Sequence, residues 1–418
     1  MTFLTRHALR LFVLALVAAG WTVASSAQQR ASADWPQWRG PNRDGSAPSF
    51  TAPKAWPDAL TQRWKVEIGI GYASPVLIGN RVYMFTRQAD DEYVTALDAT
   101  TGKQVWQSHY AAPYTLVRAA LPHGLGPKST PAFADGRLFT LGISGILSAY
   151  DAATGKLLWQ KPAPAEGPTF STSQSPIVDR GLLIVHVGGN KEGGLTAFDP
   201  ATGNQRWRWS GDGPGYGSPI VAVIGGTRQV ITPTYQNLVG VSAETGELLW
   251  KRPLKARSDV NAITPLVSGD MIITSAVEQG VIAVKVTKQG TGWVAEDAWK
   301  NDEASFQLAN AAIVRDALFG LSSVGSGTYI IMDTKTGKIL FNGTPRAANN
   351  AAIQKAGDLL IVLENDGELL VADGTKTSSF DAIKKYKVSE SQTWSAPAIS
   401  GNRLFVKDET SVALWTLN

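Results

Sequence analysis

The stretch DATTGKQVW, from Asp98 to Trp106, recurs along the chain with one internal spacing. An acid or Ser opens each copy, Thr-Gly follows a short turn, and an aromatic residue closes it. The other copies are DAATGKLLW at Asp151–Trp159, DPATGNQRW at Asp199–Trp207, SAETGELLW at Ser242–Trp250 and DTKTGKILF at Asp333–Phe341. The opening side chain can accept backbone N–H groups in a tight turn, and Gly can adopt positive φ. Each copy therefore predicts strand–turn–strand, with its aromatic residue packed between neighbouring sheets.

A second element, a small residue usually followed by Pro, opens a short apolar strand in every unit. Its copies are SPVLIG at Ser74, TPAFAD at Thr130, SPIVDR at Ser175, SPIVAV at Ser218, TPLVSG at Thr264, AAIVRD at Ala311, AAIQKA at Ala351 and APAISG at Ala396. They recur about every 45 residues, and each unit has room for four strands, a pattern typical of β-propellers. We therefore predict an all-β, eight-bladed β-propeller with four antiparallel strands per blade.

The chain offers the last unit only three strands before it ends. The stretch TQRWKVE, Thr61–Glu67, carries Trp64 in the usual aromatic position and is predicted to supply the fourth. Closure of the propeller ring by strands from both termini would remove exposed sheet edges. The propeller domain is then residues 60–418, preceded by an N-terminal extension at residues 28–59. In the first blade the strands are expected at residues 75–78, 81–86, 93–98 and 104–107, and residues 111–121 are the one weak helix candidate.

The first 27 residues are typical of a secretory signal peptide. Arg6 and Arg10 precede an apolar run, and Ser25 and Ala27 are small residues suited to cleavage after Ala27. Cleavage would remove two arginines and no acid, so the net charge of the mature chain would fall below +4. That balance gives no indication of nucleic-acid binding. The chain contains no cysteine, which excludes a lipid-modified Cys, a c-type haem motif and Cys-ligated zinc.

Thr-Gly turns followed by Trp, Pro-opened inner strands and eight units resemble the PQQ-like (pyrroloquinoline quinone) repeat β-propeller superfamily over about residues 60–418. The segment DWPQWRGPNRDG, Asp34–Gly45, is similar to the leader of many secreted bacterial members. The resemblance implies two functional branches. Quinoprotein dehydrogenases hold PQQ and Ca²⁺ in the centre of the propeller ring and oxidise alcohols or sugars. BamB-like members are non-catalytic scaffolds of the outer-membrane assembly machinery.

The scaffold branch fits the size and blade count of this chain better. The vicinal Cys pair of many quinoproteins cannot exist here, and their Ca²⁺ ligands and catalytic Asp do not map onto this sequence. We therefore expect a periplasmic or extracellular, monomeric binding scaffold for a cell-envelope protein or other partner, without a cofactor and without a transmembrane segment once the signal is removed. A PQQ-dependent alcohol or sugar dehydrogenase with PQQ and Ca²⁺ in the channel is the alternative, and a carbohydrate- or polyphenol-binding propeller is a third possibility.

Residues that lead into the innermost strands should surround the mouth of the central channel. Counting back from the strand openings gives a mixed aromatic and amide set: Tyr72, Lys128, Gln174, Tyr216, Asn310, Asn349, Asn350 and Trp394. Such a lining suits stacking on, and hydrogen bonding to, a polar planar or sugar-like ligand. The competing interpretation is a water-filled channel that binds nothing.

Two further segments could contact a partner. The longest predicted loop, residues 108–129, carries His109, Tyr114, Arg118 and His123, and either binds a partner or passively caps the channel. A cluster before the first strand contains Trp35, Trp38, Arg39, Asn42, Arg43 and Asp44. It either recognises a partner or packs on the side of the propeller. Because the histidines show no ligand-spaced pair, no metal site is expected, and His186 is predicted to be a core residue.

Overall fold

Residues 33–417, described by a computed structural model, consist almost entirely of β-strands. They form eight four-stranded antiparallel sheets arranged in a ring. The predicted eight-bladed β-propeller is confirmed. Residues 1–32 and 418 lie outside the described part of the chain, and so does the predicted signal peptide. Within residues 33–417, no helix is both long and apolar enough to cross a bilayer.

The first four blades contain strands β2 to β17, and β1 lies in the last blade. The bounds are β1 Thr61–Glu67, β2 Val76–Ile78, β3 Arg81–Gln88, β4 Asp91–Asp98, β5 Gln104–Ala111, β6 Ala132–Ala134, β7 Arg137–Leu141, β8 Leu147–Asp151, β9 Leu157–Lys161, β10 Ile177–Asp179, β11 Leu182–Val187, β12 Gly194–Phe198, β13 Gln205–Trp209, β14 Ile220–Ile224, β15 Thr227–Pro233, β16 Asn237–Ser242 and β17 Leu248–Pro253. In each blade the first strand is innermost and the Thr-Gly turn, where present, joins the outer two.

Blades 5 to 8 continue the same order. Their strands are β18 Leu266–Ser268, β19 Met271–Ala276, β20 Gly280–Gln289, β21 Gly292–Asn301, β22 Ala312–Val314, β23 Ala317–Ser322, β24 Thr328–Asp333, β25 Ile339–Asn342, β26 Ala351–Ala356, β27 Leu359–Glu364, β28 Glu368–Asp373, β29 Ala382–Lys387, β30 Ala398–Ser400, β31 Arg403–Lys407 and β32 Ser411–Thr416. The described part of the chain also has two 3₁₀ helices, Arg118–His123 and Arg257–Asp259. The first of these overlaps only the end of the weak helix candidate at residues 111–121.

The propeller ring closes between the two ends of the domain, as predicted. Strand β1 pairs antiparallel with β32, from Thr61 opposite Thr416 to Glu67 opposite Ser411. Trp64 is buried between blades, with its ring centroid 6.0 Å from that of Phe405. Because β1 completes blade 8, no blade is left with an unpaired fourth position.

The aromatic residues that follow the turns pack against the Thr-Gly turns of the next blade, as the repeat predicted. Five tryptophans at this strand position donate their indole N–H to a carbonyl in the turn of the next blade: Trp64 to Ala99 at 3.2 Å, Trp106 to Ala152 at 3.0 Å, Trp159 to Pro200 at 3.0 Å, Trp207 to Ala243 at 3.2 Å and Trp299 to Thr334 at 3.0 Å. The glycine of the turn has positive φ and lies under the indole. A Cβ at Gly155 would come within 2.4 Å of Trp106, so this contact requires Gly. Blade 5 lacks the turn, and Trp250 donates instead to Gln229 Oε1 of its own blade.

The small residue before each Pro also links blades, a role that the sequence did not reveal. In four blades its backbone N–H donates to the hydroxyl at the equivalent position of the next blade: Ser74 to Thr130 at 3.0 Å, Thr130 to Ser175 at 3.0 Å, Ser175 to Ser218 at 2.9 Å and Ser218 to Thr264 at 3.2 Å. The N–H of Thr264 donates to Oδ1 of Asn310, one residue before the equivalent position in blade 6, at 2.8 Å. This chain of hydrogen bonds, which we call the hydroxyl belt, runs around the channel from blade 1 to blade 6. It satisfies buried backbone groups where short inner strands leave them without a ladder partner.

Candidate functional site at the channel mouth

The N-terminal segment crosses the base of the central channel and closes it. Trp35 forms a two-way backbone bridge with Leu77 of β2 (2.7 and 3.0 Å), and Pro36 O accepts from the N–H of Phe133 in blade 2 at 2.8 Å. Further along, the N–H of Thr51 donates to Gly401 O in blade 8 at 3.0 Å. We call residues 34–51 the plug. Its backbone contacts the neighbouring blades 8, 1 and 2, and its side chains reach blades 3, 5 and 6 across the channel, so it fills this end of the channel.

Two arginines of the plug are buried inside the channel. Arg39 donates through Nη2 to Ala311 O in blade 6 at 2.5 Å. Arg43 donates to Ser175 O and Pro176 O in blade 3 at 3.0 and 2.9 Å. Burial lowers the pKa of both guanidinium groups. The plug therefore binds carbonyl groups at strand openings of the propeller with charged donors.

The rest of the N-terminal cluster shares that structural role. Asn42 donates to Ser46 Oγ at 3.1 Å, and Asp44 lies 3.2 Å from Lys355 Nζ in blade 7. Burial alone would raise the pKa of Asp44, but hydrogen bonds from Ser46 and the charge of Lys355 outweigh it and lower that pKa. The cluster therefore neither packs on the side of the propeller nor presents Trp35, Arg39 and Arg43 to a partner, because these three side chains are at most 3% exposed.

Trp38 is the plug residue that faces the opposite, open end of the channel. Its indole N–H donates to Thr264 Oγ1 of the hydroxyl belt at 3.0 Å. Above it lies a cavity of about 400 Å³, which we call the mouth cavity. Its lining is Trp38, Tyr72, Ala119, Ala120, His123, Lys128, Phe170, Ser173, Ser175, Tyr216, Ser218, Val260, Ala262, Thr264, Gln307, Leu308, Asn310, Asn350 and Trp394. The cavity therefore has the plug and the hydroxyl belt at its base and the blade-joining loops as its walls.

The structure brings six of the eight sequence-selected mouth residues together in this lining. The other two lie elsewhere: Gln174 is buried and donates to Pro233 O at 3.2 Å, and Asn349 is exposed outside the cavity. Sequence reasoning missed Phe170 and Leu308. Both sit in irregular blade-joining segments more than two residues before the strand opening, so counting back from the opening could not reach them.

Aromatic side chains form two opposing parts of the wall. Tyr72 and Trp394 stack with centroids 5.4 Å apart and planes 19° apart, and the His123 ring meets Trp394 edge-on at 5.1 Å. Phe170 and Tyr216, which precede blades 3 and 4, contact each other across 6.0 Å. Burial, assisted by Glu409, raises the pKa of Tyr72 to about 12. These rings are neutral, partly buried platforms that a planar ligand could contact.

The predicted partner loop divides into two regions. His109 belongs to the outer strand β5, where its ring stacks on Tyr93 and its Nδ1 lies 2.8 Å from Asp91 Oδ2, away from the mouth cavity. Beyond Ala111 the chain leaves the sheet, and we call residues 112–129 the mouth loop. The expected loop at residues 108–129 thus begins later, because strand β5 is longer than its pattern suggested.

The mouth loop has its own small core and an exposed apolar rim. Ala120 and Leu116 pack on Ile143 of blade 2, and Tyr114 lies against that cluster. Val117 and Leu121 remain 42% and 59% exposed. Arg118 is exposed as well, whereas His123 faces the cavity. The loop is therefore a fixed wall of the mouth cavity with apolar side chains on its outer surface.

Among the described residues that line the mouth cavity, Lys128 is the one that is formally charged. Its ammonium donates to Gly124 O at 3.2 Å and lies 5.8 Å from the centroid of the Tyr72 ring. Burial lowers the pKa of Lys128 to about 8, against the smaller opposing effect of Glu92. Burial and the charge of Lys128 also lower the pKa of His123. The electrostatic character of the cavity is therefore set by a single, partly desolvated cation.

Within residues 33–417, no carboxylate lines the mouth cavity, and no cluster of three His, Asp or Glu side chains is able to hold a metal ion. The remaining histidine of the described chain, His186, is buried in β11 as predicted, with Nε2 3.0 Å from Asp212 O. Burial lowers the pKa of His186 to about 4. It is therefore a neutral core residue.

Residues 90–317 match the family model described as "Outer membrane protein assembly factor BamB". The match covers more than half of the chain. The chain belongs to this PQQ-like, BamB family. Its repeats and its eight blades are those that the sequence resemblance predicted.

Relatives of this BamB-family chain fall into two groups. BamB of Burkholderia pseudomallei is 24% identical over 362 residues, which is 83% of this chain and 85% of that protein. The crystal structure of BamB from Moraxella catarrhalis has a TM-score of 0.62 at 16% identity and covers 86% of this chain and 98% of that one. Quinohemoprotein alcohol dehydrogenase from Comamonas testosteroni has a TM-score of 0.67 at 14% identity, covering 93% and 82% of the two chains. At such identities the structural likeness shows a shared fold alone.

The lengths of the sequence matches differ between the two groups. The same dehydrogenase is 28% identical over 145 residues, which is 33% of this chain and 19% of that protein. The Burkholderia BamB match extends over most of both chains. Sequence similarity to BamB is therefore nearly global, whereas similarity to the dehydrogenase is limited to a few blades.

Proposed function

We propose that this chain is a non-catalytic binding protein of the cell envelope that contacts a partner through the channel-mouth face. The observation that carries the proposal is the lining of the mouth cavity, whose described residues are aromatic, amide, hydroxyl and apolar, with one cation, Lys128, and no carboxylate. Calcium sites in proteins usually include carboxylate ligands, which the described lining lacks. The same lining is well suited to recognition, which relies on aromatic contacts and a few placed polar groups.

The partner is proposed to be an envelope protein. The rim of the mouth cavity exposes Val117, Leu121 and Leu308 by 40% or more, and apolar side chains grouped around a concavity favour protein contact. The relatives named outer membrane protein assembly factors support an envelope location, as does the signal-like N-terminus. We expect the chain to act as a monomer in the periplasm or outside the cell.

A PQQ-dependent dehydrogenase is the second candidate function, and the sequence matches to quinone-dependent alcohol dehydrogenases favour it. PQQ with Ca²⁺ would be expected in the mouth cavity. Ca²⁺ takes about six to eight oxygen ligands, usually including carboxylates. The cavity offers only neutral oxygens, from side chains such as Asn310 and Asn350, beside the cation of Lys128. These residues do not fit the calcium ion, and we derive no reaction through the cofactor.

Site-specific photo-crosslinking tests the proposed face. A photoreactive residue is placed at Leu121 on the mouth loop, and the matched control is Leu157 on outer strand β9, which is 45% exposed. We expect a discrete envelope protein to crosslink through position 121 and not through position 157. Equal crosslinking at both positions, or crosslinking only at position 157, would contradict the proposed face.

Reconstitution tests the second candidate. Purified protein is incubated with PQQ and Ca²⁺, and both the visible spectrum and dye reduction with alcohols or sugars are recorded. We expect neither a bound quinone spectrum nor substrate-dependent reduction. Substrate-dependent reduction that disappears in a Trp394→Ala variant would instead establish the dehydrogenase function at the mouth cavity.

A further inference from the structure

The mouth cavity has the dimensions of a small-molecule site. Its volume of about 400 Å³ lies within the range of ligand pockets, and the plug closes its base. The Trp38 indole at that base is fixed by its hydrogen bond to Thr264 Oγ1. A ligand that entered from the mouth would therefore meet a preformed aromatic surface, without the cost of ordering it.

The walls favour a planar ligand. Tyr72 and Trp394 stack with nearly parallel planes, and His123 contacts both edge-on. The Phe170–Tyr216 pair lies on the opposite side of the cavity. Aromatic platforms on two sides contact both faces or edges of an aromatic ring better than they contact a saturated chain.

The charge in the cavity favours an anion. An ammonium has three N–H donors, and within the described residues Lys128 uses one of them, on Gly124 O. The carboxylate that acts on it, Glu92, does not line the cavity, and its two oxygens accept from Tyr110 Oη at 2.5 Å and from Ile143 N at 2.8 Å. A bound carboxylate would therefore find donors on Lys128 and no acid inside the cavity to repel it.

We propose that the mouth cavity binds a small planar aromatic monocarboxylate, with its carboxylate on Lys128 and its ring against the Tyr72–Trp394 pair and Trp38. This inference rests on the proposed binding function and names a ligand class for the same site. It differs from a calcium–quinone site because a single cation, and no metal, holds the anion.

Calorimetric titration of the purified full chain tests the proposal. The probes are naphthalene-2-carboxylate, the neutral naphthalene-2-carboxamide and the cationic 2-naphthylmethylamine, which share a ring system and differ in charge. We expect the carboxylate to bind roughly tenfold or more tightly than the amide, because a charge-assisted hydrogen bond is added. Binding of the amine should be weakest.

Two variants locate the anion site. Lys128→Met keeps the length of the side chain and should bring the carboxylate and amide to similar affinities, whereas Lys156→Met, in a Thr-Gly turn on the opposite face, should leave the preference intact. Trp394→Ala should weaken both probes. Each variant is compared with the wild type by circular dichroism and thermal melting, so that loss of binding is not confused with loss of fold.

The pH dependence of carboxylate binding is an independent measurement of the same site. The groups that act on the Lys128 ammonium are Glu92 and His123, with Tyr72 beneath it and Glu409 beside Tyr72. Since the pKa of Lys128 is lowered to about 8, carboxylate affinity should fall as the pH rises above that value, while amide affinity stays constant. Protonation of His123 at acidic pH should add to anion binding.

Several outcomes would overturn the inference: no probe binds, the amide binds as tightly as the carboxylate, or Lys128→Met retains the preference for the anion. The titration uses no partner protein, so its failure would leave the crosslinking result at Leu121 unaffected. Loss of the crosslink with retained carboxylate binding would instead refute the partner face and keep the ligand site.

Discussion

The two ends of the central channel are built from the same inner strands but are used differently. At the base, the plug fills the channel with Trp35, Arg39 and Arg43, all at most 3% exposed, and the two arginines bond to strand openings of blades 6 and 3. At the mouth, the chain leaves a cavity of about 400 Å³ and surrounds it with half-buried rings and one cation. The base has the packing of a core, and the mouth has the lining of a binding site.

This difference separates stability from function within one channel. Side chains at the base replace solvent with protein contacts, so their removal should destabilise the fold. The Lys128 ammonium at the mouth is partly desolvated and has no ion partner in the cavity lining, so it costs folding free energy. The presence of a destabilising charge that faces a cavity is explained more simply by ligand binding than by packing.

The largest expected effect on stability comes from replacing one tryptophan at each end of the channel by alanine. Trp35→Ala at the base should lower the free energy of unfolding by about 4 kcal/mol, because a fully buried indole leaves a cavity between the plug and blades 1 and 8. Trp394→Ala at the mouth should cost about 1 kcal/mol, because that ring is only half-buried. Urea unfolding of both variants measures the two losses of unfolding free energy. Similar losses would contradict the view that the base is a core and the mouth is not.

A smaller effect is expected at Thr264, where the two ends meet. Thr264→Val removes the oxygen that accepts both the Trp38 indole N–H and the Ser218 N–H. Two donors would lose their partner, so the free energy of unfolding should fall by about 2 kcal/mol. The base of the mouth cavity would also lose its fixed indole. Thr264→Ser keeps the oxygen and is the control, and a Ser variant as unstable as the Val variant would show that the methyl group matters instead.

The smallest expected effect has the opposite sign. Lys128→Met should raise the free energy of unfolding at pH 7 by about 1 kcal/mol, because a desolvated ammonium is replaced by an apolar chain of similar length. The folded-state pKa of Lys128 is about 8, below its value of about 10.5 in the unfolded chain. The unfolded state therefore holds more protons between these values, and the penalty in the wild type is relieved as the pH rises through that window.

Thermal melting of wild type and Lys128→Met at pH 7 and pH 10 measures this effect. The advantage of the variant should be present at pH 7 and shrink by pH 10. A variant that is less stable than the wild type at both values would mean that Lys128 supports the fold, and the contrast between base and mouth would then be lost.

The repeats were readable from the sequence because each is held by local contacts. Asp98 and Thr101 bond within one turn, and Gly102 takes positive φ there, so five turn copies and their aromatic residues could be recognised without knowing the fold. The strand β1 was also identified, because Trp64 carries the repeat pattern outside its own unit. The hydroxyl belt was visible as a repeated small residue, but its partner lies a whole blade away.

Sequence alone determined the number of blades, the four-stranded unit, the closure by β1 and six residues of the mouth lining, since these follow from short-range periodicity repeated along the chain. Only the tertiary structure decided that the N-terminal cluster fills the channel and that Trp38 forms the base of a cavity. Trp38 meets Thr264 across 226 residues, and that contact exists only after the propeller ring has closed. A segment that occurs once has no periodic partner in the sequence, so its place depends on the shape of the space that the repeats enclose.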